Sequence, residues 1–233
     1  KMHTIAKDAG AGLINEDSMW HYCEGVQNWD PIWPNHGIRI LPGPSSMWFD
    51  AKGERMEAPF LPGFDTLGTL KRILQAGEHS WFILTQKIIE KEFALSGSEQ
   101  NADLTDGGWV DVLKARLGKG ATPAVEAFKQ KGADFVVADD LATLVAGMNK
   151  ITPEHPLELD RIRYQIEARD GQLANPFAKD AQITAIRGAR AYKGDKLIRT
   201  AKPHAILDKA NGPLIAVRLN IITRKSLGGL HTD

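Results

Sequence analysis

From Pro213 to Thr223 the chain alternates around Ile215, Val217 and Leu219, and Asn220-Ile221-Ile222 carries the pattern on. β-branched residues recurring with period two demand an extended, half-buried backbone, so a sheet is obligatory. Shorter strand signals stand earlier, at Gly12–Asn15, Ile38–Leu41 and Met47–Phe49, with a hairpin loop over Asp50–Arg55 in which Gly53 is free to take positive φ. Between these ends the periodicity turns helical. Thr66–Gln75, Ser80–Leu95, Trp109–Leu117, Thr122–Lys131, Asp140–Asn149, Leu157–Asp170 and Gln182–Tyr192 repeat their apolar residues at 3.6-type spacing. Thr122-Pro123 and Asp139-Asp140 supply helix starts. The expected fold class is α+β, a mostly helical middle with short strands, bracketed by strand-forming ends. Lys1 to Ala9 reads as a helix with no cap before it, which suggests a cut inside a larger protein.

Residues 20–65 interrupt this pattern with Trp20, Trp29, Trp33 and Trp48 among six prolines. Such a segment reads as short extended pieces whose aromatic rings hold a loop core. The 29 basic and 29 acidic side chains of the 233 residues cancel, which removes the usual reason to expect nucleic acid or an anionic membrane surface as partner. The lone Cys23 forms no internal disulfide and fits a reducing, cytoplasmic setting. No apolar run reaches the roughly eighteen residues of a membrane span, since Asp139 and Asp140 interrupt the longest.

Familiar catalytic motifs are missing. Gly10-Ala11-Gly12 follows a helix rather than a strand, which is the wrong order for a dinucleotide fingerprint, so it reads as a helix stop. The seven histidines are scattered without ligand spacing, and no metal site is expected. Lys87–Glu92 carries mixed charge of the kind that covers a solvated helix face. The most unusual stretch is Thr223-Arg224-Lys225-Ser226-Leu227-Gly228-Gly229-Leu230. Two cations and a hydroxyl lead there into a glycine pair that lets a backbone approach a flat ligand.

Four segments in order carry a resemblance. Ala6–Ile14 is similar to an "A-xx-aGA-x-l" run, Met47–Met56 to an "ilvNxxGxRF" hairpin and Phe135–Leu144 to an "a-D-T-l-e-e-L-A" helix start. Gly212–Arg218 running on through Ser226–Asp233 is similar to a "gPfyA" strand that enters a "TxGG" turn. Together they resemble the FAD-dependent fumarate reductase, succinate dehydrogenase and 3-ketosteroid dehydrogenase superfamily. Thr85–Asn101 points to the FAD-binding dehydrogenases related to ketosteroid dehydrogenases.

The resemblance implies a middle fragment: residues 1–30 an end piece of the FAD domain, 31–205 a substrate-capping domain, and 206–233 the return toward the FAD domain. It implies FAD as cofactor of the full-length protein, not bound tightly by this fragment, which alone would be inactive. The reaction implied is hydrogen removal or addition across a C–C bond beside a carbonyl or carboxyl group of a small steroid-like or carboxylate substrate. Ser226, Leu227, Gly228 and Gly229 fall on the cofactor-facing turn. Arg224 and Lys225 stand where fumarate reductases place a histidine, and Arg39 lies close to the position of their catalytic arginine, near Pro42. Arg224, which can hold a carboxylate or stabilise an enolate, and Tyr22, since the ketosteroid enzymes rely on tyrosines, are the expected catalytic residues, and Arg39 and Lys225 the substrate-binding ones. The rival expectation is a non-catalytic binding domain using the Trp-rich surface.

Overall fold

The computed structural model describes residues 2–41, 43–63, 66–96 and 120–231, with 110, 113, 114, 117 and 118; for Thr66 and Arg224 it describes the backbone. The elements begin with α1 (Met2–Asp8), β1 (Leu13–Ile14), β2 (Met19–Gln27), β3 (Gly37–Leu41) and β4 (Met47–Asp50). They continue with α2 (Thr66–Ala76), β5 (His79–Thr85), α3 (Gln86–Glu92), β6 (Ala94–Ser96), α4 (Pro123–Lys131) and β7 (Phe135–Ala138). The last are α5 (Leu141–Ile151), α6 (Leu159–Asp170), α7 (Ala181–Ala189), α8 (Lys193–Ile198), β8 (Leu214–Ser226) and β9 (Gly229–Leu230). The class is α+β, with antiparallel sheets.

The alternating run becomes β8, the strand around which the main sheet is built in the order β4-β5-β8-β2-β3-β6. Strand β5 pairs with β8 from Thr85↔Leu214 to His79↔Asn220. Strand β7 pairs with Leu214–Val217, whereas β2 pairs with Asn220–Ser226. β8 therefore changes neighbour at Arg218–Leu219, where unpaired backbone groups would be costly. Asp134, fully buried, fills the junction. Its carbonyl accepts from Arg218 N–H at 2.8 Å. Its Oδ1 accepts from Arg218 Nε at 2.6 Å, and its Oδ2 from Gln27 N–H at 2.6 Å and Asn220 Nδ2 at 3.1 Å.

Helices α4 and α5 pack on β7, and α5 also on β8, while α2 packs on β2 and β5. Their starts are the expected ones: Pro123 opens α4 behind Thr122, and Asp140 Oδ1 accepts from Thr143 N–H at 2.9 Å to cap α5. The Asp50–Arg55 loop forms as expected, with Asp50 Oδ1 accepting from the N–H groups of Lys52 and Glu54, and Gly53 at φ 78. It is clamped from outside. Arg55 donates to both oxygens of Asp180, at 2.5 and 3.2 Å, and Asp180 also caps α7 through Ile183 N–H.

Several expectations are corrected. Ser80–Leu95 is not one helix but β5, α3 and the start of β6. Every residue of β5 is buried, and a strand covered on both faces reads as a continuous apolar run that periodicity does not separate from a helix. Thr85 breaks the strand by accepting from Ile88 N–H as the α3 cap. The Gln182–Tyr192 helix ends at Ala189, and α8 follows it. Phe135–Ala138 is strand rather than part of a helix start, because β8 offers it a paired edge. Residues 19–27, all but the first inside the stretch read as irregular, form the nine-residue β2. Of the tryptophans, Trp48 and Trp81 enter the core while Trp20 and Trp33 stay half exposed. The expected helix over Trp109–Leu117 lies largely outside the described residues. No helix among them is long and apolar enough to cross a membrane.

Removing the carboxylate at the junction leaves Arg218 and Gln27 N–H without partners, so Asp134→Ala is expected to lower unfolding free energy by about 3–5 kcal/mol. Urea denaturation measures this, and a loss under about 1 kcal/mol would show that the hand-over needs no carboxylate.

Candidate functional site

Two of the expected residues meet. Tyr22 lies on β2 and Arg39 on β3, strands held in register by Gly25↔Arg39 and Val26↔Ile38. The Arg39 guanidinium carbon sits 4.2 Å from the centre of the Tyr22 ring. Its Nε approaches Glu24 Oε2 at 3.4 Å. Glu24 is only 3% exposed. Burial pushes its carboxyl above the ordinary value, with the Arg39 charge pulling the other way. The result is a phenol, a guanidinium and a buried carboxyl in one contact cluster. Two loose attachments keep Arg39 in place: a cation–π contact worth about 0.5–2 kcal/mol and the contact with Glu24.

Arg39 also lines a cavity of about 440 Å³, together with Trp33, His36, Ser96, Ile222 and Thr223. Trp33 and His36 stack across one wall with ring centres 3.8 Å apart. The His36 ring is held from behind by the Asn28 amide at 3.1 Å. The cavity lining thus combines an aromatic stack with the Arg39 guanidinium.

The remaining expected residues gather where β8 ends. Lys225 lies opposite Trp20 and Ser226 opposite Met19. Between Trp20↔Lys225 and His21↔Thr223 the register shifts, leaving Arg224 as the extra residue on β8. Its side chain falls outside the described residues. Past the strand, Leu227 N–H donates to Ser18 carbonyl at 2.8 Å, and Ser226 Oγ accepts from Gly228 N–H at 3.1 Å. β9 then pairs with β1 through Ile14↔Gly229 and Leu13↔Leu230.

The two glycines differ. A Cβ on Gly228 would stand 2.3 Å from Asn15 carbonyl oxygen, so this position is glycine because the chain itself packs there. A Cβ on Gly229 would meet nothing within 4 Å. The turn therefore leaves open space beside the backbone at Gly229 and none at Gly228. Among the described residues no cluster of three or more His, Cys, Asp or Glu gathers as a metal site.

The family described as FAD binding domain matches residues 1–233. This chain belongs to that family. It falls within the FAD-dependent fumarate reductase, succinate dehydrogenase and ketosteroid dehydrogenase superfamily that its motifs resemble, and FAD is the family's cofactor. A KsdD-like steroid dehydrogenase of Mycolicibacterium smegmatis is 55% identical over all of this chain and 43% of its own length. Two KsdD-like steroid dehydrogenases of Mycobacterium tuberculosis are 53% identical over all of this chain and 41% of theirs. The chain thus spans about two fifths of the curated relatives it matches. A solved open-conformation flavocytochrome c3 fumarate reductase aligns with 97% of this chain and 29% of its own, at TM-score 0.47 and 13% identity.

Sequence reasoning missed Glu24. Tyr-x-Glu in an extended segment was the available signal, and it was hidden because residues 20–65 read as irregular. It also took Lys87–Glu92 for a solvated face, whereas Glu92 is buried, accepting from Ser45 N–H at 2.9 Å and Ala201 N–H at 2.8 Å.

A carboxyl with a raised folded pKa stabilises the fold fully below its ordinary 4.5 and loses that contribution as pH rises through the folded value. Glu24→Gln carries no charge, so the stability of wild type relative to this variant is expected to be lower at neutral pH than at about pH 4. Chemical denaturation at both ends checks it; a pH-independent difference would refute the raised value.

Proposed function

We propose that this chain is the substrate-side part of an FAD-dependent oxidoreductase that removes hydrogen from, or adds it to, a C–C bond beside a carbonyl or carboxyl group of a steroid-like molecule. The observation that carries the reading is Arg39 on the wall of the aromatic cavity, stacked on Tyr22 and backed by Glu24. The relatives named as steroid dehydrogenases support the substrate class. In dehydrogenation, two adjacent carbons each lose a hydrogen, one leaving as hydride and one as a proton. FAD, when bound, supplies the hydride acceptor.

The protein's part is the other half. Arg39 holds the carbonyl or carboxyl oxygen and stabilises the negative charge that develops there. Tyr22 exchanges the proton through its hydroxyl. The Trp33–His36 stack and the apolar edge of β8 position the ring system. Ser226, Leu227 and Gly229 offer backbone and hydroxyl to the cofactor, and Arg224 and Lys225 supply positive charge beside it. In this reading residues 1–30 and 206–233 belong with the FAD domain and 31–205 form the cap that excludes water over it. The rest of the FAD domain is then their partner. The 233 residues hold no glycine-rich dinucleotide fingerprint, so alone they are expected to bind FAD weakly and to be inactive.

The test is anaerobic flavin reduction in the full-length protein across a panel of 3-ketosteroids. Tyr22→Phe is expected to slow reduction by about 10²–10⁴-fold at saturating substrate. Arg39→Ala should weaken substrate binding and slow reduction together, and Arg224→Ala should slow it. Wild-type rates in all three variants would overturn the residue assignment, and no flavin bleaching by any ketosteroid would overturn the substrate class.

A further inference from the structure

Between β2 and β3 the chain builds a histidine whose tautomer is fixed by its neighbours. Pro34 and Asn35, the latter at φ 60, occupy the middle of a turn that His36 N–H closes onto Trp33 carbonyl at 3.2 Å. The turn folds the His36 ring onto the Trp33 ring, with centres 3.8 Å apart. His36 carbonyl accepts from Asn28 N–H at 3.3 Å, which ties the turn to the end of β2.

The place of the ring proton follows from Asn28. Asp30 N–H donates to Asn28 Oδ1 at 3.0 Å, so that atom is the oxygen and the atom facing His36 is the amide nitrogen. Nδ2 only donates, so across its 3.1 Å contact His36 Nδ1 accepts. Ile32 N–H reaches the same Nδ1 at 3.4 Å. A ring nitrogen that accepts from two donors holds no proton, and the proton therefore sits on Nε2. Nε2–H has no acceptor among the described residues, and on a half-buried ring it is open to solvent. His36 lines the cavity that holds Arg39 and also a second of about 390 Å³, which shares Asn35, His36, Gly37 and Ile222 with the first.

The two donors lean apart. Arg39 pairs with Gly25, but its guanidinium lies over Tyr22, toward the start of β2. The His36 ring lies against Asn28, just past the other end of β2. Extended backbone advances about 3.3 Å per residue, so the Cα atoms of His36 and Arg39 stand roughly 10 Å apart before their side chains diverge. One substrate oxygen does not reach both.

We propose that His36 Nε2–H receives a second oxygen of the substrate, at the end of the ring system opposite the group held by Arg39, an assignment that rests on the steroid-like substrate proposed above. The class selected is a rigid, flat molecule oxygenated at both ends. A ligand without the second oxygen leaves this N–H unpaired on closure of the site and binds less tightly.

Two androstane-type 3-ketosteroids test the assignment in the full-length protein, one with a second carbonyl on the five-membered ring and one with a methylene there. Affinities come from tryptophan fluorescence titration without an electron acceptor and with steroid in large excess, so that a single turnover consumes a negligible share. Wild type is expected to bind the dicarbonyl compound about 3–10-fold more tightly. His36→Asn keeps an acceptor for the Asn28 amide and removes the outer N–H, so the two affinities should converge to within about twofold. His36→Gln carries an amide N–H near the place of Nε2 and should keep the preference. A packing defect alone would weaken both steroids and leave their ratio unchanged. Equal affinities in wild type, a preference that survives in His36→Asn, or one lost equally in His36→Gln would each overturn the role of His36 while leaving the substrate class standing. Binding of neither steroid would overturn the substrate class and the role of His36 together.

Discussion

A strand with two different neighbours along one edge needs something at the point of exchange, and in this protein that something is Asp134. Its carbonyl continues the β7 ladder for one more bond, and its carboxylate then receives the last N–H of β2 together with the side chains of Arg218 and Asn220. Without this residue the edge of β8 between Val217 and Asn220 would expose unpaired groups inside the core. β5 covers the opposite edge of β8 as far as Asn220. The rest of the sheet follows: β4 extends beyond β5, and β3 and β6 extend beyond β2.

The candidate site inherits its geometry from that exchange. Because Gln27 is pinned at the junction, β2 runs back along the second half of β8 and presents Tyr22 and Glu24 beside β3. Arg39 then lies within reach of both. The register shifts along β2 and β8 fall on either side of Tyr22, between Trp20 and His21 and between Tyr22 and Gly25. Such irregularities re-aim side chains where an even ladder would alternate them.

Features written in neighbouring residues were legible in the sequence. The β8 alternation, the Thr122-Pro123 and Asp140 helix starts and the Asp50–Arg55 loop all formed where local chemistry placed them. What was hidden depends on distant partners. Asp134 acts on Gln27 across 107 residues and on Arg218 across 84. β5 resembles a helix core because its buried faces erase the period that would distinguish it. Tyr22 and Arg39 were each recognisable as chemistry, but their contact is a property of the β2–β3 register. Glu24 became visible only once residues 19–27 were known to be a strand.

The balanced net charge concealed an ordered division of labour. Many acids turn inward: Asp50, Glu92, Asp134, Asp170 and Asp180 all accept backbone N–H groups at strand ends, helix starts or loops. A short carboxylate accepts several donors at once and tolerates burial when those bonds are made. An ammonium has no acceptor capacity, is strongly hydrated and sits at the tip of a long stem, so lysines stay at the surface. Four of these acids, Asp50, Asp134, Asp170 and Asp180, also pair with an arginine. Net charge, summed over the whole chain, is blind to the difference between an acid that caps a strand and one that screens a lysine.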